Sequence, residues 1–327
     1  MEKTKTLVRA DKSAGSTKPK NSIGKQLLYH KELYLLLLPV LLLAFVFCYL
    51  PMLGVVIAFK NYDVFSAGGQ PFNAIFASPW ADSYGFQHFI DVFTTPDMLK
   101  AIFNTLYLSF LSIVVCFPFP IILAIMINEI QSGVLKRPLQ TISYFPYFLS
   151  WISVVGIFQT FLDTNGVVNS AISFFGGEKI NFLTSNAWFV PIAVFINLWK
   201  TVGWNSIIYL AAIMSIDSTL YEAAEIDGAG RLKQITHVLL PGILPTISIL
   251  FILNMASIVN SNFELIYGLQ NSYINFETIN TLVYKIGIQG DDYSASTAIG
   301  FAQGLVSAIL VIGTNKITKK LSGSSLF

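Results

Sequence analysis

The 327-residue sequence predicts an all-α membrane protein: six bilayer-crossing helices, both chain ends on one side, and a water-facing helix between the fourth and fifth crossings. Three observations predict this. Charged residues are 12% of the chain and hydrophobic ones 54%, at mean hydropathy +0.63, whereas soluble domains carry about 25% charged residues. Six apolar runs are long enough to cross a bilayer, which takes about 20 residues of helix. The connections between those runs alternate between rich and poor in Lys and Arg, as the positive-inside rule expects of successive loops.

The first run, 33–59, follows a polar tail over 1–25 that reads as disordered and cytoplasmic. At 27 residues, with no small-residue cleavage site, the run is too long for a signal peptide and is expected to stay as a span. The other predicted spans are 102–128, 142–162, 188–214, 238–262 and 294–316. Residues 26–322 thus form one transmembrane domain, followed by a short tail at 323–327. The last span is the least apolar, but its Gly, Ala, Ser and Thr suit close helix packing. Pro39, Pro51, Pro118, Pro120, Pro146, Pro191 and Pro245 fall in or near spans and predict kinks. The connections 61–101, 163–187 and 263–293 are expected to form a packed cap, with 279–288 apolar enough to fold onto it.

The cations orient the chain. Fifteen lie in the N-terminal tail up to Lys31, at Lys136 and Arg137, at Arg231 and Lys233, and at Lys316, Lys319 and Lys320. Four lie on the other side: Lys60, Lys100, Lys179 and Lys285. Lys200 falls inside the fourth span. Both termini and the 217–237 connection are therefore expected in the cytoplasm.

Several chemistries find no pattern. No G-x-x-x-x-G-K-[ST] run is present to cradle phosphate, so ATP-driven work would need an ATPase on another chain. His30, His88 and His237 are far apart and have no metal-ligand spacing. No Ser–His–Asp arrangement can be argued, so an enzyme is not expected. No resident cofactor or nucleic acid is expected. Cys48 and Cys116 lie in apolar runs and read as packing or lipid-facing residues.

The 217–241 connection is the most informative segment. Thr219-x-x-Glu222 fits a capping box, with Asp217 and Ser218 as competing N-caps. A helix over 220–227 would place Leu220, Ala223, Ala224 and Asp227 on one face. Gly228-Ala229-Gly230 then breaks it, both glycines permitting a sharp bend. A short helix over 231–238 leads back to Pro241 at the membrane.

Glu222-Ala223-Ala224, Gly228, and Val238-Leu239-Leu240-Pro241 nine residues later resemble the signature of membrane subunits of bacterial ABC importers, with Val in place of the usual Ile. Leu198-Trp199-Lys200-x-x-Gly203-Trp204-Asn205, Tyr209-Leu210-Ala211-Ala212 and Asn104-Thr105-Leu106 resemble the carbohydrate branch. Leu35-Leu36-Leu37-Leu38-Pro39, Tyr49-Leu50-Pro51-Met52 and Ile57–Tyr62 are similar to the lipoprotein/polysaccharide permease subgroup of Gram-positive bacteria.

The resemblance implies a type I importer fold. Glu222, Ala223, Ala224, Asp227, Gly228, Ala229, Gly230 and Pro241 would form a coupling helix and its exit, seated on a cytosolic ATPase that binds ATP and Mg. It further implies a second homologous permease, two ATPases, a solute-binding protein that is periplasmic or lipid-anchored, and an oligosaccharide substrate.

A sugar site needs aromatic faces, amides and hydroxyls. Candidates within or beside the spans are Trp151, Trp199 and Trp204, and Asn197, Asn205, Asn254, Asn260 and Asn262. Trp near span ends also anchors at interfaces, and Asn also bonds neighbouring helices. Lys200 is costly in a span and is expected to face a cavity or a partner group. An ion-coupled carrier would show intramembrane carboxylates, and the acidic residues here sit in loops or at span ends. A permease for another solute class stays open at this point, as does a non-transporting scaffold.

Overall fold

The computed structural model describes residues 31–130 and 132–322; the expected tails at 1–25 and 323–327 lie outside the described residues. The described residues are predominantly helical, and their one strand-like pairing is a bridge between Lys60 and Trp80. The chain divides into a unit ending at Gly54 and a unit spanning Val55–Phe327.

The described part of the first unit belongs to the apolar run Lys31–Phe59. Its α-helix Lys31–Ala44 accommodates Pro39. The backbone then widens to a π turn at Phe45–Tyr49 and tightens to a 3₁₀ stretch, Leu50–Phe59. Pro51 explains the change of pitch: it donates no N–H, and its ring crowds the preceding turn's carbonyls.

The second unit holds the spans Pro96–Glu129, Asn186–Met214, Arg231–Ala256 and Tyr293–Lys319. Where the third span is expected lies a bent pair, Gly133–Phe148 and Trp151–Phe174, with 101° between its arms, which makes a sixth crossing if both arms belong to one span. The sequence reads 142–162 as one helix; the structure breaks it. Pro146 lies in a 3₁₀ turn, Phe145–Phe148, Leu149 is extended, and the Ser150 hydroxyl accepts from Ser153 N at 3.2 Å to start a new helix. The fifth span also differs from expectation. It ends at Ala256, and the stretch expected to close it at 257–262 is non-helical.

The Asn186–Met214 span is central. One part of it packs Phe189, Ile192 and Ile196 with Val154, Val155, Leu265 and Ile266. Its C-terminal end packs Tyr209, Leu210 and Ile213 with Ala124, Ile127, Leu239 and Ile243. A third cluster, Val92, Met98, Val259, Ile279 and Ile299, lies beneath the long connections.

Those connections are packed, as expected of a cap. Ile279–Tyr284 is helical, with Ile279 and Thr281 buried. Thr105 Oγ1 accepts from Ile279 N at 2.8 Å, and Asn104 Nδ2 donates to Glu277 O at 2.9 Å. The Asn104-Thr105 pair thus ties the second span to the last connection. Lys285 pairs with Glu277 in the same layer. Buried Lys60 donates to Ile75 O and Phe76 O at 2.7 and 3.1 Å, closing the end of helix Pro71–Ala77.

Candidate functional site

Two features stand out, a water-facing hairpin at one end of the helices and a polar cavity among them. The hairpin begins at Asp217. Its carboxylate accepts from Thr219 N at 3.0 Å and caps the helix Ser218–Ile226, and that bond holds its pKa below the usual carboxylate value. The predicted Thr219–Glu222 capping box is not what starts the helix. Asp217 lies two residues earlier and takes the N-cap role, leaving Glu222 exposed.

The helix ends in a Schellman motif. Gly228 N donates to Glu225 O at 3.0 Å and Ala229 N to Ala224 O at 2.9 Å, with Gly228 left-handed at φ +71°. A Cβ there would meet nothing within 4 Å, so the demand for glycine is conformational rather than steric. Gly230 differs from expectation: its φ of −68° suits any residue, and it serves as the N-cap of Arg231–Gln234. That turn does not stop at 238 but runs through a π turn, Ile235–Leu239, into Leu240–Ala256, and the widened turn precedes Pro241, which has no N–H to donate to it.

Tyr221 plugs the hairpin into the Ala124–Ile243 cluster. Burial, and secondarily the Glu129 carboxylate, push its phenol pKa up. Arg231 pairs with Glu129 at 3.4 Å, an exposed contact worth at most about 1 kcal/mol. The outward surface combines Glu222, Ala223, Glu225 and Asp227 with exposed Leu220, Ile226 and Leu232.

The cavity has a volume of about 350 Å³. Asn197 and Asn205 of the fourth span, Asn254 of the fifth, and Asn260 and Asn262 of the segment after it all line it. Five of the nine predicted path residues are therefore brought together. Ser109, Ser112, Thr201, Ser257 and Ser261 add hydroxyls that the sequence reading did not single out. Their signal was helical spacing: Ser109, Ser112 and Cys116 share one face of the second span. Cys116 is half-buried in this wall, where its Sγ accepts from Asn197 Nδ2 at 3.6 Å. Every side chain of the wall is uncharged.

Trp151, Trp199, Lys200 and Trp204 do not line the cavity. Trp199 packs edge-on to Phe158, with ring centroids 5.3 Å apart. The others surround the break in the third span. Lys200, 4% exposed, donates to Tyr147 O at 2.6 Å and Leu149 O at 2.7 Å. Its ammonium sits 5.1 Å from the Tyr147 ring and 4.9 Å from the Trp151 ring. Trp204 stacks on Tyr147 at 4.5 Å. A charge in a span and a run of tryptophans look like a site in sequence; here they support a bent backbone.

Comparison with known proteins places this architecture. The chain is 40% identical over 305 residues, 92% of each chain, to the polygalacturonan/rhamnogalacturonan transport system permease protein YteP of Bacillus subtilis (strain 168). It is 42% identical over 300 residues, 91% of each chain, to Protein LplB of the same organism. It superposes with a TM-score of 0.82, at 38% identity, on a chain of a bacterial ABC transporter involved in the import of the acidic polysaccharide alginate, covering 91% of this chain and 98% of that one. A chain from a bacterial alginate ABC transporter in complex with a periplasmic protein bound to alginate pentasaccharide aligns at TM-score 0.83 and 37% identity, over 93% of this chain and 99% of that one. Residues 116–321, about two thirds of the sequence, match the family of binding-protein-dependent transport system inner membrane components, and the chain belongs to that family of multi-pass ABC permeases.

Proposed function

We propose that this chain forms half of the translocation path of an ATP-driven importer of oligosaccharides, with the asparagine-lined cavity as its sugar-facing wall. The observation that carries the reading is the convergence of five amides and several hydroxyls on one uncharged cavity. Amides and hydroxyls both donate and accept, which suits the hydroxyls of a sugar. The relatives named for polygalacturonan, rhamnogalacturonan and alginate support a saccharide cargo.

Both termini and the Ser218–Ile226 hairpin face the cytoplasm, on the strength of the cation count. Glu222, Ala223, Ala224, Asp227, Gly228, Ala229 and Gly230 seat on a separate ATPase subunit, which holds ATP and Mg. Alanines keep the surface slim, and Leu220, Ile226 and Leu232 add apolar contact. A second, homologous permease completes the path in a heterodimer, two ATPases drive it, and a periplasmic or lipid-anchored binding protein delivers substrate. ATP favours one of two global arrangements, and the hairpin passes that bias to the helices.

The test is uptake of a labelled panel, neutral and uronate oligosaccharides, by cells carrying the whole transporter. Uptake is expected to vanish when the ATPase's phosphate-binding lysine is replaced and to survive an ionophore. Ionophore-sensitive uptake points instead to an ion-coupled carrier, and no uptake of any panel member removes the sugar assignment. Glu222→Trp and Gly228→Val are expected to reduce both ATPase co-purification and uptake at least tenfold, the valine because a β-branched residue resists a left-handed φ. Undiminished assembly and uptake in both variants removes the coupling role.

A further inference from the structure

We propose that Asn280, in the connection before the sixth span, is a positioning residue that sets which end of the Asn260 amide faces the cavity. The proposal rests on reading that cavity as the sugar path.

The segment from Ser257 to Asn262 lines the cavity and is non-helical, and the carbonyls of Val259 and Ser261 take side-chain partners from elsewhere. They find them in the sixth span and the last connection. Gln303 Nε2 donates to Val259 O at 2.6 Å and to Asn280 Oδ1 at 3.0 Å. With its oxygen accepting from Gln303, Asn280 turns its Nδ2 to the segment. That nitrogen donates to Asn260 Oδ1 at 2.6 Å and Ser261 O at 2.7 Å. Ser261 Oγ donates to buried Thr278 Oγ1 at 3.0 Å, fixing the segment a second time.

The consequence is directional. An amide has one acceptor end and one donor end. Asn280 occupies the acceptor end of Asn260, so the end left for a cavity ligand is the –NH₂ donor. Gln303, Asn280 and Asn260 form a chain of amides in which each orientation follows from the one before. A sugar oxygen placed against Asn260 therefore meets a donor.

Asn280→Asp tests this. The isosteric carboxylate keeps the acceptor for Gln303 and removes both donors. Asn260 then reverses to donate to the new carboxylate, and presents its oxygen to the cavity. In proteoliposomes holding the whole transporter, ATP and binding protein, with a labelled oligogalacturonide as probe, the half-saturating concentration should rise about tenfold, the scale of one lost hydrogen bond. The maximal rate should stay within about twofold, because neither the hairpin nor the ATPase is touched. Asn280→Gln, which keeps donor and acceptor, should recover most of the affinity, whereas a merely structural role would lower assembly and maximal rate in Asn280→Asp instead of shifting half-saturation alone.

Asn205→Leu and Asn254→Leu separate the two readings. If they weaken uptake and Asn280→Asp leaves half-saturation unchanged, the positioning role is overturned and the cavity stands. If none of the three changes uptake, or the wild type transports no oligosaccharide of the panel, the cavity reading itself falls. Loss of assembly in Asn280→Asp with normal assembly in Asn280→Gln makes the residue structural and overturns the proposal as well.

Discussion

Lys200→Met should cost the protein its bent third span, reducing uptake at least tenfold and lowering the heat stability of the solubilised transporter. Methionine matches the stem of lysine but carries no donor. Tyr147 O and Leu149 O, now held at 2.6 and 2.7 Å, would be left without their partner where the helix breaks. A buried unsatisfied carbonyl costs about 1–3 kcal/mol, and a desolvated ammonium over an aromatic face contributes up to about 2 kcal/mol more.

Against this stands relief from burying a charge, itself several kcal/mol. Two short hydrogen bonds and two aromatic faces offset that penalty in the native protein, so the two carbonyls that methionine leaves unsatisfied decide the balance, at a loss of about 2–4 kcal/mol. Lys200→Arg is no remedy, since the wider guanidinium must fit a site only 4% exposed. A methionine variant with wild-type melting and uptake would falsify the clamp.

Gly203→Ala is expected to be worse. A Cβ at this position would lie 1.9 Å from Ser143 O, 2.4 Å from Ser143 C and 3.0 Å from Tyr144 N. All three are backbone atoms, so no rotamer change relieves the clash. The arm Gly133–Tyr144 must move away from the central span, and with it the break that Lys200 holds. Overpacking of about one methyl usually costs 1–3 kcal/mol, and a rigid backbone neighbour puts this case at or above about 3 kcal/mol. The control is Gly156→Ala, on the other arm of the same bent crossing, where a Cβ meets nothing within 4 Å. Folded yield and melting temperature should fall for the first and hold for the second; equal behaviour of the two removes the close approach as the reason for Gly203.

The spans were legible because crossing hydrocarbon is a demand on composition, and composition is written locally. The break in the third was legible only in part: Pro146 marked a kink, but not a bend of 101° with a new helix start at Ser150. Leu149 and Ser150 are ordinary residues, and what stabilises their irregular backbone is an ammonium from Lys200 on another span. The hairpin's glycine turn was legible because a left-handed φ selects Gly228. Its start was left open among Asp217, Ser218 and Thr219, all good N-caps that the sequence does not rank, and the structure selects Asp217.

In the cavity, asparagines announce themselves against an apolar background, whereas small hydroxyls do not. Thr201 Oγ1, for one, also donates to Asn197 O of its own helix at 2.7 Å, the usual habit of a hydroxyl in a span. The tryptophans and Lys200 drew attention for a sound reason, the cost of placing them there. That cost is offset by the backbone geometry they support, which residue types alone do not display.

The helix that leaves the hairpin at Arg231 is helical without interruption to Ala256, and Asn254 on its last turn lines the cavity. Twenty-three residues at 1.5 Å each make a lever arm about 35 Å long. No loop lies between the hairpin end and the wall residue, and the π turn at Ile235–Leu239 is the one place along this helix where the pitch changes. A tilt of a few degrees imposed at Arg231 and pivoting near that turn displaces Asn254 by an ångström or more, enough to make or break a hydrogen bond. Under the proposed function, force and recognition share a single rod, and stiffening or loosening the turn at its base would alter the timing of release without touching any residue that lines the cavity.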